Sequence, residues 1–236
     1  MSTGGLKCPC FGKSNCPNII YFLIFLQIYS QLFNKEIKME YNFFAMISRM
    51  KYIDRWALMR NTREENLCEH SLEVSIIAHA LAVIGNTYYE KDLNAERAAL
   101  IGLNHDASEI ITGDMPTPVK YYNDAIKESF KMIEKTACYK LLNKLPDEMK
   151  PQYEPLFFRQ SGDEYIWKLV KAADKLSALI KCMEETSVGN PEFSSAYEST
   201  KAAVDKLAAD LPEVERFLSD FLPAYGKNLD QLQYDR

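Results

Sequence analysis

A chain of 236 residues with 47% apolar and 26% charged side chains is long enough to bury one core and too apolar to remain disordered. Its net charge of -5 excludes a protein that grips a nucleic acid duplex through a broad basic surface, while leaving room for a local basic pocket that takes one phosphate. Of the six cysteines, Cys8, Cys10 and Cys16 crowd the start and Cys68, Cys138 and Cys182 are scattered, which makes no disulfide framework and points to a reducing compartment, the cytoplasm.

The amino-terminal stretch carries the apolar run Ile19 to Leu26, followed by Gln27, Ser30 and Gln31, and so falls short of the roughly 20 residues a spanning helix needs. Lys7 and Lys13 give it a faint signal-peptide look, but no small-residue cleavage site follows. Cys8, Cys10 and Cys16 lack a fourth ligand nearby for a metal knuckle. Residues 1–38 therefore read as an extension outside the fold, with no membrane expected, and residues 39–236 as the domain, beginning at Met39.

From Tyr41 onward the clear periodicities are helical, and the expected class is all-α. Leu72, Ile76, Ile77, Ala80, Leu81 and Ile84 trace one apolar stripe, and Gly85-Asn86 predicts its end. Asn94 suits the N-cap of a second helix whose apolar Ala98, Leu100, Ile101 and Leu103 lead into His105-Asp106-Ala107-Ser108-Glu109. The segment Thr112 to Pro118 holds two prolines and a glycine and predicts a loop of the kind that carries function. Further helices are predicted over 124–143 and 164–187, with a broken stretch around Pro151 and Pro155, and two more near 194–207 and 213–222.

Only three histidines occur. His105 and Asp106 are neighbours in a predicted helix, about 100° apart around its axis, close enough to converge on one ion. Alone, such a pair is as readily a local hydrogen bond. His70 earlier and Asp174 later, each on an amphipathic helix, complete an order of His, His-Asp, Asp. Taken singly, His70 reads equally as a helix-start residue and Asp174 as a partner of Lys171 or Lys175. Glu69 stands where it can orient the His70 ring.

Two imidazoles and two carboxylates suit one divalent transition metal ion, cobalt, manganese, iron or zinc, better than magnesium. His79 is nine residues beyond His70 and faces away from it, which predicts a core or supporting role. Glu109, one turn after His105, brings a carboxylate to the same side for proton transfer, unless it is merely a surface charge. Arg55, Arg60 and Arg63 offer forks for phosphate.

The strings Arg55-Trp56-Ala57-Leu58-Met59-Arg60-Asn61, Glu69-His70-Ser71-Leu72, His105 to Glu109 and Thr112-Gly113-Asp114-Met115-Pro116-Thr117-Pro118-Val119-Lys120-Tyr121, with Lys171 to Leu176 and Glu184-Glu185, resemble the HD-domain metal phosphohydrolases. Within them the chain resembles the bacterial 5'-deoxynucleotidases, departing from the pattern chiefly at Ala57 and in its first forty residues. The resemblance implies an HD-domain helical bundle with a buried divalent metal, held by His70, His105, Asp106 and Asp174, and Glu109 as the group that handles the proton. It implies that Arg55 and Lys120 lie near the phosphate of a deoxynucleoside monophosphate. Trp56, Asp114 and Thr117 would shape the sugar end, with His70 and Asp174 also bordering the substrate. A homodimer is implied as well. The alternatives are an HD hydrolase of a dNTP, a cyclic nucleotide or an alarmone, and a nucleotide-sensing module without catalysis.

Overall fold

The computed structural model describes residues 40–120 and 122–233. The expectations for residues 1–38, and for Met39 as the domain start, lie outside them.

Helix formation begins at caps that the sequence supplies. The side chain of Asn66 accepts from the amides of Cys68 and Glu69 and starts α2 (Leu67–Tyr88), after a short α1 (Phe43–Ile47). Asn94 accepts from Arg97 and starts α3 (Ala95–Asn104), and Asn123 accepts from Ile126 and starts α6 (Asp124–Leu142). Between α3 and α6 stand two one-turn helices, α4 (Glu109–Thr112) and α5 (Thr117–Lys120). The chain continues through α7 (Lys150–Phe157), α8 (Glu164–Ser187), α9 (Ser194–Asp210), α10 (Pro212–Asp220) and α11 (Leu229–Gln233). The all-α expectation holds, with one addition. Two-residue strands β1 (Asp54–Arg55) and β2 (Glu65–Asn66) pair antiparallel, with Arg55 opposite Glu65.

Several local expectations are corrected. Gly85 does not end α2, which runs to Tyr88. It marks a close approach instead, because a Cβ there would lie 2.8 Å from both Glu213 Oε1 and Leu93 Cδ1. Glu213 is fully buried and is held by Lys91 and Tyr165. The stripe on α2 also has a different phase. Val74, Ile77, Ala78, Leu81 and Ala82 face the core, while Leu72 and Ile76 are 57% and 60% exposed. His79 is exposed between Ile76 and Val83 and is no core histidine. On α3, Ala98 and Ile101 are buried and Leu100 and Leu103 are not. The segment around Pro155 is helical, with Pro151 in its first turn and Pro155 inside it, where one i to i−4 bond is lost.

The larger core joins α2, α3, α8, α9 and α10 through residues such as Val74, Leu81, Ile101, Leu169, Leu176, Val204 and Phe217. A smaller one gathers Phe43, Met50, Leu67, Ala107, Leu141 and Leu142. Leu67 precedes His70 by one turn and Val74 follows it by one, so His70 stands at the seam between the two cores. Helix α2 is long and apolar enough to cross a membrane, yet half of that apolar window is buried and its inner face makes the larger core.

A candidate metal centre and its rim

Three elements meet at this seam. His70 lies in the first turn of α2 and is fully buried. Asp174 comes from the middle of α8, where Ala172, Ala173 and Leu176 bury the rest of that turn. His105 and Asp106 are not inside a helix as the sequence suggests. His105 is the C-cap of α3, and Asp106 opens the turn before α4. Gly102 permits the convergence, since a Cβ there would come within 3.0 Å of Ser75 Cα on α2.

One ligand atom from each of His70, His105, Asp106 and Asp174 lies within 4.8 Å of the others. His70 Nε2 is 3.3 Å from Asp174 Oδ1 and 3.6 Å from Asp106 Oδ2, and His105 Nε2 is 3.0 Å from Asp106 Oδ2. The other ring nitrogens are engaged, His105 Nδ1 with the carbonyl of Gly102 at 2.7 Å and His70 Nδ1 with Ser177 Oγ at 3.0 Å. Both Nε2 atoms are buried without a hydrogen-bond partner. Nitrogens facing carboxylates in this way attract only with a proton or a metal cation between them, and the donor set suits a divalent transition metal ion. Burial disfavours charge throughout the group. Even so, Asp106 raises the pKa of His105, while His105 draws Asp106 and His70 draws Asp174 well below the usual carboxylate range.

Glu109 follows on α4, 5% exposed, with Oε2 buried and unpartnered. Burial first, then the charges of Asp106 and Asp114, push its carboxyl up to about 9, against the pull of Lys120 and Arg55. A carboxyl that stays protonated at neutral pH is a proton donor. Gly113, with φ of 73°, then turns the chain from α4 toward Asp114.

Arg55 and Trp56 form the rim. Arg55 Nη1 donates to Glu65 Oε2 at 2.8 Å, and Trp56 Nε1 donates to the same oxygen at 3.1 Å. Burial would weaken the charge on Arg55, but Glu65, Asp174, Asp106 and Asp114 more than offset it and raise its pKa. Trp56 adopts φ of 57°, a left-handed conformation costly for a bulky side chain. Its ring centroid lies 5.4 Å from that of Phe193, and Asn61 ties down the carbonyls of Trp56 and Met59. Lys120 Nζ bonds Glu134 at 2.7 Å, and its charge acts on Glu109 and Asp106. Asp114 is half-buried, whereas Thr117 is exposed and opens α5. Arg60 is taken up by Glu192 and Arg63 faces Glu69, so neither fork is aimed at the ligand group.

Two residues that sequence reasoning left without a role hold this rim in place. Glu65 is one. The other is Glu185, 1% exposed, whose carboxylate accepts from the backbone of Thr62 and Arg63, the Thr62 hydroxyl, Asn190 and buried Lys181. Their partners lie 9 and 10 residues away for Glu65 and 122 and 123 away for the loop that Glu185 grips, spacings that no local pattern reveals.

A family model described as 5'-deoxynucleotidase YfbR-like matches residues 42–225. A 5'-deoxynucleotidase of Erwinia tasmaniensis is 46% identical over 196 residues, which is 82% of this chain and 97% of that protein. One of Yersinia pestis is 47% identical over 196 residues, covering 82% and 98%. Among solved structures, an HD-domain phosphohydrolase of Listeria innocua aligns with a TM-score of 0.69 at 25% identity, covering 82% of this chain and 96% of that one. A protein of Magnetospirillum magnetotacticum described as a predicted metal-dependent phosphohydrolase aligns with a TM-score of 0.54 at 26% identity, covering 78% and 87%.

Proposed function

The chain belongs to the YfbR-like 5'-deoxynucleotidase family, and on that premise we propose that it is a metal-dependent phosphatase converting 2'-deoxyribonucleoside 5'-monophosphates to deoxyribonucleosides and phosphate. The observation that carries the reading is the convergence of His70, His105, Asp106 and Asp174 beside a buried, unpartnered Glu109 carboxyl. These four residues hold the ion. Zinc, cobalt, manganese and iron all suit two imidazoles and two carboxylates. When bound, such an ion polarises a phosphoryl oxygen and acidifies water.

The remaining work falls to the chain itself. Arg55, its fork aimed by Glu65, takes the phosphate oxygens, and Lys120 adds positive charge from α5. As a water oxygen bonds to phosphorus and the bond from phosphorus to the 5'-oxygen breaks, the protonated Glu109 gives its proton to the leaving oxygen. It recovers one from the attacking water, so the cycle closes. Trp56 fills the space beside C2' of the sugar and excludes a 2'-hydroxyl, and Asp114 accepts from the 3'-hydroxyl, with Thr117 at the outer edge.

The test is phosphate release from a substrate panel. We expect dAMP, dGMP and dTMP to be hydrolysed and AMP to be spared; a preference for a dNTP, a cyclic nucleotide or an alarmone overturns the reading, and no turnover on any of them favours the sensing module.

Two further assignments accompany it. The exposed Leu72, Ile76 and Val83 of α2 and Leu100 and Leu103 of α3, on helices packed against each other, support a homodimer through this face. Sedimentation of Ile76→Glu should give a monomer where the parent chain gives a dimer. The unpaired Cys68, Cys138 and Cys182 support a cytoplasmic location.

A further inference from the structure

The two histidines are held from behind in different ways. His105 Nδ1 meets the backbone carbonyl of Gly102, which only accepts, so this nitrogen carries the hydrogen. His70 Nδ1 meets a side chain, Ser177 Oγ, at 3.0 Å. Ser177 has one hydroxyl proton and donates it to Glu73 Oε2 at 2.6 Å. With that proton committed, Ser177 can only accept from His70, so Nδ1 carries the hydrogen and Nε2 presents a lone pair toward Asp106 and Asp174.

The placement follows from helical spacing. Glu73 is three residues after His70 on α2, and Ser177 is three residues after Asp174 on α8. Each helix thus contributes one ligand and, a turn later, one member of a brace that crosses to the other helix. His70 and Ser177 are fully buried, so this contact has no competing solvent. Glu73 is half-buried and borders a cavity of about 190 Å³ shared with Glu65, Glu69, Glu184, Arg63 and Lys181, which gives its carboxylate a polar outer side.

We propose that Ser177 and Glu73 are positioning residues of the metal centre, fixing the His70 tautomer and locking α2 to α8 so that His70 and Asp174 meet one ion. This rests on reading the four residues as metal ligands, and not on the identity of the substrate.

The probe is Zn²⁺, with the dissociation constant read by competition against a chelator and the imidazole Nδ1–H resonances read by NMR in the zinc-loaded protein. Outer partners of ligating histidines typically govern metal affinity by about 10- to 100-fold, and Ser177→Ala should weaken zinc binding by that factor. It should also lose the slowly exchanging His70 Nδ1–H signal while His105 keeps its own. Glu73→Ala should do the same in part, and Glu73→Gln, which retains an acceptor oxygen, should restore binding toward the parent value. Unchanged zinc affinity in Ser177→Ala, or equal loss at both histidines, overturns the proposal. If Ser177→Ala does not fold, equal behaviour of Glu73→Ala and Glu73→Gln overturns it. A parent chain that binds no zinc, cobalt, manganese or iron defeats the ligand reading as well; one that binds zinc and hydrolyses dAMP beside equally tight variants defeats only the brace.

Discussion

His70 and Asp174 are carried by helices of 22 and 24 residues, and His105 closes one of 10, all three packed into the larger core. Arg55, Trp56 and Asp114 instead stand on a two-residue strand, a left-handed turn and the loop between two one-turn helices. The floor of the proposed metal centre therefore takes its rigidity from core packing, and the rim from the partly buried Glu65 and the buried Glu185. Damage to one region should leave the other readable.

Glu109 stands where the two regions join, and its loss should have the largest effect. We expect Glu109→Gln to lower kcat by roughly 10²- to 10⁴-fold with metal content unchanged, as measured by steady-state kinetics and elemental analysis. Its raised carboxyl also has a sign in stability. Between the unfolded value near 4.3 and about 9 in the fold, the folded protein binds the extra proton, so stability falls as pH rises. Glutamine removes that cost, and calorimetry of the metal-stripped variant at pH 8 should give a higher Tm than the parent.

Glu185→Ala should come next. It leaves Lys181 buried without its carboxylate, a loss of about 3–5 kcal/mol, read as a lower midpoint in urea unfolding. Zinc affinity should remain near that of the parent while the KM for dAMP rises, because the rim alone comes loose. The contacts to Glu185 hold its carboxyl far below the usual range despite burial. The stability it contributes is complete above about pH 4.3 and is lost as pH falls below that. Glu185→Gln should lack this part of the acid limb.

Trp56→Ala should cut the preference for dAMP over AMP, expressed as a ratio of kcat/KM, by roughly 10- to 200-fold, without altering zinc affinity. The smallest effect is expected of Glu65→Gln. Weakening a charged hydrogen bond worth about 1.5 kcal/mol should raise KM about tenfold and leave kcat nearly unchanged. Equal loss of metal in any of these rim variants would break the division between floor and rim.

Much of the floor was legible in the sequence. His70, His105, Asp106 and Asp174 stand out as a set only through the strings around them, while the helices near 124–143 and 164–187 are legible from their period. Burial direction on α2 was not legible, because apolar residues surround that helix and its stripe has no sharp phase. The period therefore points Leu72 and Ile76 inward although both are exposed, and the nine-residue spacing from His70 does not reveal that His79 is exposed too. The hydroxyl of Ser177, the carboxylate of Glu73 and the grip of Glu185 on Thr62 and Arg63 depend on partners 104 to 123 residues away, a separation at which one sequence holds no pattern. The left-handed Trp56 was equally hidden, since its conformation is imposed by the fold around it.

Gly102 contributes no functional group, yet two requirements meet there. Its missing side chain lets α3 touch the backbone of α2 at Ser75, and its carbonyl orients His105. A methyl group added at this position would meet Ser75 Cα at 3.0 Å, so α3 and α2 would have to give by a few tenths of an ångström and His105 would shift with α3 relative to His70. One constraint on the centre thus falls at a residue that no inventory of reactive side chains includes, and alanine at Gly102 should cost stability and site geometry together.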